Sequence, residues 1–413
     1  MTTLIINIAQ LVGVRAASVL LRGKALAELP MLEHAFLLLE DGLIIDFGQM
    51  DELDIKVPHL PVNVLDVAGQ YVLPAWCDSH THLIFAKSRE EEFVDKLKGK
   101  TYAEIAATGG GILNSARVLQ ATSEAELYQQ ALQRLQEVAR LGTGAIEIKS
   151  GYGLSVAAEL KMLRVASRLK RNSDLVIKTS FLGAHTYPAM YKDDHETYIN
   201  SIVEEMLPVI AAEKLADYID VFCEQGFFSV AEMERICTAG AQYGLKSKLH
   251  VNQLSSMGGV QAAVQLGAVS ADHLEVMTGA DVESLANSST IGTLLPTAAF
   301  FLRMPYQPAR ALIDAGAAIA LASDFNPGSS PSGNMNFVVA LSCIQMKMLP
   351  EEAINAATLN GAFAIEAQAE VGSIAIGKRA NLIFTKPIPS LSYLPYSFGH
   401  NLIDKVMING VFC

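Results

Sequence analysis

The stretch Tyr71-Val72-Leu73-Pro74-Ala75-Trp76-Cys77, followed directly by Asp78-Ser79-His80-Thr81-His82, does most to decide the fold of this chain. The apolar part predicts a buried strand that ends with His80 and His82. Side chains two residues apart on a strand share a face, so both imidazoles are expected to point the same way, near enough to hold one metal ion. A lone His-x-His pair is more often two unrelated surface or core histidines. The carboxyl end of a buried strand, however, is where α/β sheets and barrels place their chemistry.

Downstream of this stretch, strand-like apolar runs alternate with helical segments. Two helix starts, Ser123-Glu124-Ala125-Glu126 and Ser229-Val230-Ala231-Glu232, have the spacing of a capping box. Eight such alternations predict an α/β fold, a parallel (β/α)8 TIM-like barrel, over an open doubly wound sheet. The predicted strands span residues 71–82, 144–150, 176–185, 218–225, 245–253, 268–275, 289–297 and 318–326.

Both chain ends carry a different pattern. Residues 35–48 alternate around Asp41-Gly42, a hairpin signal, and residues 371–384 and Asn409-Gly410 repeat this character near the carboxyl end. Neither flank alone has enough strands for a stable core, so the two are predicted to pair in one small β-sandwich. The expected domains are therefore a composite β-sandwich of residues 1–68 and 371–413 and a catalytic barrel of residues 69–370.

Composition limits the class of protein. Of 413 residues, 51% are hydrophobic and 18% charged, as in a globular protein with a large core, and a barrel of roughly 250 residues leaves room for a second unit. The net charge of −12 argues against nucleic acid and anionic membranes as partners. We see no secretory signal and no apolar run near the ~20 residues of a spanning helix. Five scattered cysteines without a CxxC pair suit the cytoplasm.

Further polar residues fall at the carboxyl ends of other predicted strands. His250 ends the fifth strand, His273 lies in the sixth, and Asp324 closes the eighth. Each alone has an ordinary explanation, since a strand-end aspartate is often a helix cap and a strand histidine is often a hydrogen-bonded core residue. Together with the His-x-His pair they predict a site for Zn²⁺ or Fe²⁺ with one coordination position open to water.

Such a site has a defined chemistry. A divalent cation lowers the pKa of bound water towards ~7, and a carboxylate that touches both metal and water can take the proton. A further imidazole can orient the nucleophile or stabilise charge on an attacked carbonyl. The sequence therefore predicts metal-assisted hydrolysis of a C–N bond in a small molecule.

Over essentially its whole length the chain resembles the amidohydrolase superfamily. The His-x-His strand, the later histidines and aspartate, and the tail 372–382 carry this resemblance. Within the superfamily the match narrows to enzymes that open a cyclic amide, and the block Lys149-Ser150-Gly151-Tyr152-Gly153-Leu154 is the most specific part. The other matching stretches are residues 78–85, Arg89, Glu92-Phe93, 108–112, 147–148, 182–185, 270–275 and 323–329.

The resemblance implies roles for individual residues. One zinc or iron ion would be bound by His80, His82, His250 and Asp324. Asp324 would also accept the proton, His273 would orient the nucleophile or stabilise charge, and His185 would contact the ring or the oxyanion. A homodimer is also implied. Contacts to substrate or product would come from Arg89, whose fork suits a substrate carboxylate, and from Tyr152, His185, Gln253, Asn326, Gly328 and Ser329.

Some residues depart from the superfamily pattern or have a second interpretation. Gln253 stands where many relatives have a proton-shuttling glutamate, so acid–base work is expected from Asp324 or His273. The fourth strand has no lysine to carbamylate, which favours one metal ion over two. Gly109-Gly110-Gly111 lacks the context of a phosphate-binding loop and is interpreted as a loop over the site. Lys149 is expected to be a structural ion-pair partner of a strand-end carboxylate.

Two other functions remain open from the sequence. The first is another cyclic C–N hydrolase or an aminohydrolase, acting on a purine, pyrimidine or hydantoin. Arg89 with Tyr152 argues against it, because a nucleobase has no carboxylate to neutralise. The second is a non-catalytic, metal-stabilised barrel that binds a partner. That hypothesis requires a closed coordination sphere, whereas three histidines and one aspartate leave a position free.

Overall fold

Strands from both chain ends form one mixed sheet beside a parallel barrel. The computed structural model describes residues 1–100, 104 and 110–413. The strands are β1 (Thr2–Val12), β2 (Met31–Glu40), β3 (Leu43–Gln49), β4 (Asn63–Asp66), β5 (Tyr71–Pro74), β6 (Trp76–Asp78), β7 (Thr143–Lys149), β8 (Val176–Ala184), β9 (Tyr218–Cys223), β10 (Lys246–Val251), β11 (Ser270–His273), β12 (Ile291–Leu294), β13 (Ile319–Leu321), β14 (Leu382–Thr385), β15 (Ile403–Ile408) and β16 (Val411–Phe412).

The mixed sheet has the order β16-β15-β14-β5-β1-β2-β3, and β4 pairs with β1. The two chain ends meet where β14 runs antiparallel to β5, with Ile383 opposite Leu73. The predicted pairing of both ends in one small β unit is thus confirmed, and hydrogen bonds join its strands in a single mixed sheet. The boundaries 1–68, 69–370 and 371–413 stay a prediction.

The barrel strands β6 to β13 follow one another in chain order, and all their pairings are parallel. The seam between β13 and β6 is closed beyond the strand ends by a parallel bridge between Thr81 and Phe325. Two backbone hydrogen bonds support it, from Asp324 to the His80 carbonyl (3.0 Å) and from His82 to the Phe325 carbonyl (2.9 Å). The predicted (β/α)8 barrel is confirmed.

The first predicted strand, residues 71–82, is divided between the two sheets. Residues Tyr71–Pro74 pair in the mixed sheet, whereas Trp76–Asp78 start the barrel. The change occurs at Ala75, whose N–H bonds to the Asn381 carbonyl (2.9 Å), while the next N–H, of Trp76, bonds to the Gly142 carbonyl (2.8 Å). His80 and His82 therefore follow a short strand and do not lie on it, which corrects the prediction of one continuous strand.

The helices cover the outside of the barrel. Helix Glu124–Arg140 is capped by the Ser123 side chain, and Ser229 forms a full capping box with Glu232, as their spacing predicts. Among the described residues no helix is long and apolar enough to cross a membrane. The α-helices are Leu53–Lys56, Glu90–Leu97, Ile112–Ala121, Glu124–Arg140, Val156–Arg171, His195–Asn200, Leu207–Glu213, Val230–Gln242, Gly259–Gln265, Gly279–Ala286, Pro296–Leu302, Ala309–Asp314, Met335–Met346, Pro350–Ala357, Leu359–Ala364 and Tyr393–Tyr396, with a π-helical turn at Ser201–Met206.

Candidate active site

The four predicted metal ligands converge at the carboxyl ends of the barrel strands. The Nε2 atoms of His80 and His82 lie 3.5 and 3.6 Å from Oδ1 of Asp324. The Nε2 atom of His250 lies 3.3 Å from Nε2 of His82. All four side chains are buried, and a ligand atom from each of the three histidines lies within 4.8 Å of the others. The sequence prediction of a shared site at this rim is therefore matched by the geometry.

Two of the site residues, His273 and Asp324, have a left-handed backbone conformation that sets the direction of their side chains. His273 and Leu274 have φ of +87° and +67°, and Asp324 has φ of +52°. Non-glycine residues in this region cost of order 1–3 kcal/mol each and persist where the surroundings hold them. Strand alternation would send Asp272 and His273 to opposite faces. The turn at His273 instead lets both reach the interior, Asp272 towards His80 and His273 into the cavity.

The histidines have the donor set that a divalent cation requires. Nδ1 of His80 donates to Oδ2 of Asp272 (2.7 Å), which leaves its buried Nε2 without a hydrogen-bond partner. Nδ1 of His250 lies 2.9 Å from Oδ2 of Asp220. Carboxylates in this position fix the tautomer and orientation of metal-binding histidines. Burial, more than the neighbouring cations, holds the pKa of His80, His82 and His250 well below the usual value, so their lone pairs are free to bind a metal.

A layer of buried charge lies beneath these histidines. Nζ of Lys149 is 2.9 Å from Glu147, 2.8 Å from Asp220 and 3.7 Å from Asp272. A second buried lysine, Lys248, donates to Ser270 (2.7 Å) and lies 3.5 Å from Glu147. Lys149 therefore forms ion pairs with carboxylates on the barrel strands, as expected from the sequence. Because Asp220 contacts His250 and Asp272 contacts His80, this layer connects Lys149 to both histidines.

Asp324 and His273 have opposite electrostatic surroundings. Burial raises the pKa of Asp324 to about 6, against the lowering influence of His273. Burial lowers the pKa of His273, but Glu275, whose Oε1 lies 3.5 Å from Nδ1, together with the other nearby carboxylates raises it overall. Oγ of Ser329 donates to Oδ2 of Asp324 (3.0 Å). Asp324 is therefore suited to accept a proton, and His273 to carry positive charge.

His185 presents an acceptor to the cavity. Its Nδ1 lies 3.0 Å from the Gly151 carbonyl, and since a carbonyl only accepts, Nδ1 carries the proton and Nε2 does not. Burial lowers the pKa of His185 to about 4, so the ring stays neutral. The ring stacks against His82 with a centroid distance of 5.2 Å.

All the predicted substrate-contacting residues line one cavity of about 430 Å³. Asn326 uses its amide within the loop that follows β13: Oδ1 accepts the N–H groups of Gly328 and Ser329 (2.8 Å each), and Nδ2 donates to the Asp324 carbonyl (2.7 Å). The amide therefore shapes the loop. The predicted residues on the cavity wall are His82, Arg89, Tyr152, His185, His250, Gln253, His273, Asp324, Asn326, Gly328 and Ser329.

Sequence reasoning missed the supporting residues Asp220, Asp272 and Lys248, and the cavity residue Lys96. A usable signal existed, because Glu147-x-Lys149, Lys248-x-His250 and Ser270-x-Asp272 place polar residues at alternate positions of strands that are otherwise apolar. Phe222 and Phe227 form part of the apolar wall and were also not identified. Gly109 of the predicted glycine loop, and Thr108 before it, lie outside the described residues.

A parallel barrel with histidines and an aspartate gathered at the carboxyl ends of its strands defines a class of hydrolases, and the family comparison agrees. Residues 71–413 match the Amidohydrolase family. Imidazolonepropionase of Flavobacterium johnsoniae is 56% identical over 412 residues, 99% of both chains, and that of Clostridium tetani is 42% identical over 388 residues, covering 94% of this chain and 92% of its own. The chain therefore belongs to the amidohydrolase family and, within it, to the imidazolonepropionases.

Solved structures of more distant proteins share the fold. E. coli guanine deaminase superposes with a TM-score of 0.72 at 14% identity, covering 100% of this chain and 99% of its own. An adenosine deaminase from Xanthomonas campestris with bound zinc gives a TM-score of 0.72 at 17% identity, covering 99% of this chain and 92% of its own. At these identities the similarity concerns the fold alone.

Proposed function

We propose that this protein hydrolyses the cyclic amide C–N bond of 4-imidazolone-5-propanoate to give N-formimidoyl-L-glutamate, a ring-opening step of histidine degradation. The observation that carries the proposal is the 56% identity to an imidazolonepropionase over 99% of both chains. The cavity adds matching chemistry, since Arg89 offers a cationic fork for the propanoate and His185 an acceptor for a ring N–H.

The metal site fits one ion, zinc or iron. His80, His82, His250 and Asp324 would hold it, because three neutral imidazoles and one carboxylate form a donor set that both metals accept. When bound, the ion would supply Lewis acidity towards water and the substrate carbonyl.

The chain's own residues would then move the protons. Asp324 accepts a proton from the attacking water at Oδ2, the oxygen that Ser329 contacts, and returns it to the ring nitrogen that leaves. His273, whose Nδ1 faces Oε1 of Glu275 at 3.5 Å, stabilises the negative charge on the attacked carbonyl oxygen. Gln253 cannot titrate, so its role is limited to hydrogen bonding. This assignment gives Asp324 the role of base and His273 the role of electrostatic stabiliser.

Ring opening of imidazolonepropanoate by the purified protein, followed by ultraviolet absorbance, tests the proposal. Asp324→Ala should lower kcat by about 10²–10⁴-fold, the usual contribution of an acid–base residue, while Asp193→Ala on the exposed surface should not. Guanine and hydantoin test the alternative that the protein is a nucleobase deaminase or is hydantoinase-like. Turnover of either compound without ring opening of imidazolonepropanoate would refute the proposal.

Metal content, location and assembly are separate parts of the proposal. Elemental analysis of protein purified without added metal would identify zinc or iron and the number of ions per chain. The five free thiols fit the reducing cytoplasm, where we place the enzyme. Light scattering would test the proposed homodimer.

A further inference from the structure

Arg89 and Lys96 line the cavity. Arg89 is the N-cap residue of helix Glu90–Leu97, and Glu92, in the first turn of that helix, lines a neighbouring cavity together with Arg89. The side chains of Arg89 and Glu92 are only 12% and 13% exposed. The strength of an ion pair this well shielded from water depends strongly on the geometry of its hydrogen bonds, whereas an exposed pair contributes little in any geometry. Glu92 therefore warrants a role of its own.

The Arg89–Glu92 contact uses one edge of the guanidinium. Nε and Nη2 of Arg89 both donate to Oε2 of Glu92, at 2.9 and 2.5 Å. A guanidinium has five N–H donors in a planar fork, so this contact leaves Nη1 and the second hydrogen of Nη2, an edge to which no other described residue is hydrogen-bonded. Nη1 lies so close to Gly328 that a Cβ there would collide with it, and Gly328 lines the cavity. The free edge of Arg89 is thus directed at the ligand space.

Glu92 is itself fixed from the other side. Its second oxygen, Oε1, accepts the Gly111 N–H (2.9 Å) just before helix Ile112–Ala121. Burial alone would raise the pKa of Glu92, but the hydrogen bonds from Arg89 and Gly111 lower it overall. The carboxylate is therefore anionic at neutral pH and is held between two elements.

We propose that Glu92 is a positioning residue for carboxylate recognition: it holds one edge of the Arg89 guanidinium so that the opposite edge binds the substrate carboxylate through two hydrogen bonds. This inference rests on the proposed function, which supplies a substrate with a carboxylate. A fixed fork binds a planar carboxylate better than a mobile one, because less side-chain freedom is lost on binding.

Two simpler roles for Glu92 make different predictions. As an acid in the first turn, Glu92 would only stabilise its helix, a role that Glu90 and Glu91 share. As a bare negative charge beside Arg89 and Lys96, it would weaken anion binding, so that its removal would tighten binding. Orientation of Arg89 predicts the opposite sign, namely weaker carboxylate binding when Glu92 is replaced.

The experiment compares Glu92→Gln with Glu91→Gln, which removes the same charge from the same helical turn at an exposed position. With imidazolonepropanoate, Glu92→Gln should raise KM about 10–100-fold, the equivalent of one charge-assisted hydrogen bond, and change kcat less than about threefold. Glu91→Gln should match the wild type. Circular dichroism spectra and melting temperatures of both variants would show whether they are folded.

A pair of inhibitors isolates the carboxylate. The wild type should bind imidazole-4-propanoate more tightly than its uncharged primary amide, and Glu92→Gln should lose most of this preference. In an Arg89→Lys background, where no guanidinium edge remains to be held, adding Glu92→Gln should change the preference less than about threefold, because residues that act as a unit are not additive.

Each outcome has one interpretation. Equal behaviour of Glu92→Gln and Glu91→Gln, or tighter acid binding by Glu92→Gln, would overturn the inference. If the wild type fails to open imidazolonepropanoate yet prefers the acid inhibitor and loses that preference in Glu92→Gln, the proposed function fails and the role of Glu92 stands. If the wild type opens imidazolonepropanoate but shows no preference for the acid inhibitor, the proposed function stands and the role of Glu92 fails.

Discussion

Replacing Lys149 by Met should destabilise the barrel strongly. Lys149 is completely buried, and its ammonium lies 2.8–2.9 Å from two carboxylates, Asp220 and Glu147, and 3.7 Å from Asp272. The pKa of Lys149 is raised, because its attraction to Asp220 and Glu147 outweighs the burial that would lower it. A Met side chain fills similar space but, among the described residues, leaves Lys248 as the only lysine close to any of these three buried carboxylates.

The expected magnitude follows from this geometry. Removing one partner of a buried ion pair costs about 3–5 kcal/mol, because the other charge stays buried without compensation. Lys170→Met is a matched control, since Lys170 also pairs with an aspartate at 3.0 Å, but the side chains of Lys170 and Asp217 are 44% and 28% exposed. Such a pair contributes about 0–1 kcal/mol.

The chain offers a convenient probe for this comparison. Its single tryptophan, Trp76, is buried in β6 of the barrel, so its fluorescence follows the unfolding of the barrel in urea. Lys149→Met should lower the free energy of unfolding several-fold more than Lys170→Met. Equal losses for the two variants would refute the argument that this buried cation holds the carboxylate layer together.

Three further predictions concern packing, pH and metal binding. Gly240→Ala should cost about 1–3 kcal/mol of stability, because the new Cβ would lie 2.6 Å from Cδ1 of Ile219. In the control Gly279→Ala the new Cβ has no atom within 4 Å, so this variant should be neutral or stabilising. Thermal unfolding compares the two variants. Burial lowers the pKa of Lys378 to about 8 in the folded state, whereas the unfolded chain has a lysine pKa of about 10.4. Between these two pH values the unfolded chain binds more protons than the folded one. The free energy of unfolding should therefore rise with pH, by up to about 3 kcal/mol. Urea midpoints at pH 7.5 and 10 should show this rise in the wild type but not in Lys378→Met, and an equal rise in both would contradict it. Zinc at 100 times its dissociation constant should stabilise the metal-stripped wild type by about 2.7 kcal/mol, as measured by calorimetry. The same zinc concentration should not stabilise His82→Ala. The control His59→Ala, at an exposed position, should behave as the wild type.

The barrel was predictable because its signal is local. Each of the eight strands is an apolar run that ends in polar residues, and each observed barrel strand lies within or at the edge of its predicted range. The division at Ala75 was not predictable, because apolar periodicity does not reveal which sheet a strand joins. Only the distant partners, Asn381 for Ala75 and Gly142 for Trp76, determine it.

The convergence of His80, His82, His250 and Asp324 was predictable from their strand-end positions. The buried residues that hold these side chains in place were not. Asp272 and His273 are neighbours, and alternation along a strand allows only one of them to face the interior. The φ of +87° at His273 brings in both, and no residue pattern encodes that turn. Similarly, Glu92 looks like an ordinary first-turn acid until the two edges of the Arg89 guanidinium are located.

The seam of the barrel has a consequence for how the enzyme comes into being. Asp78 accepts hydrogen bonds from Ser323, 245 positions later in the chain, and the bridge between Thr81 and Phe325 lies directly beside it. A chain emerging from the ribosome therefore carries His80 and His82 long before Asp324 exists. Contacts of such separation form late and slowly. Metal loading should accordingly be one of the last events in the maturation of each molecule, and it should report that the barrel has closed.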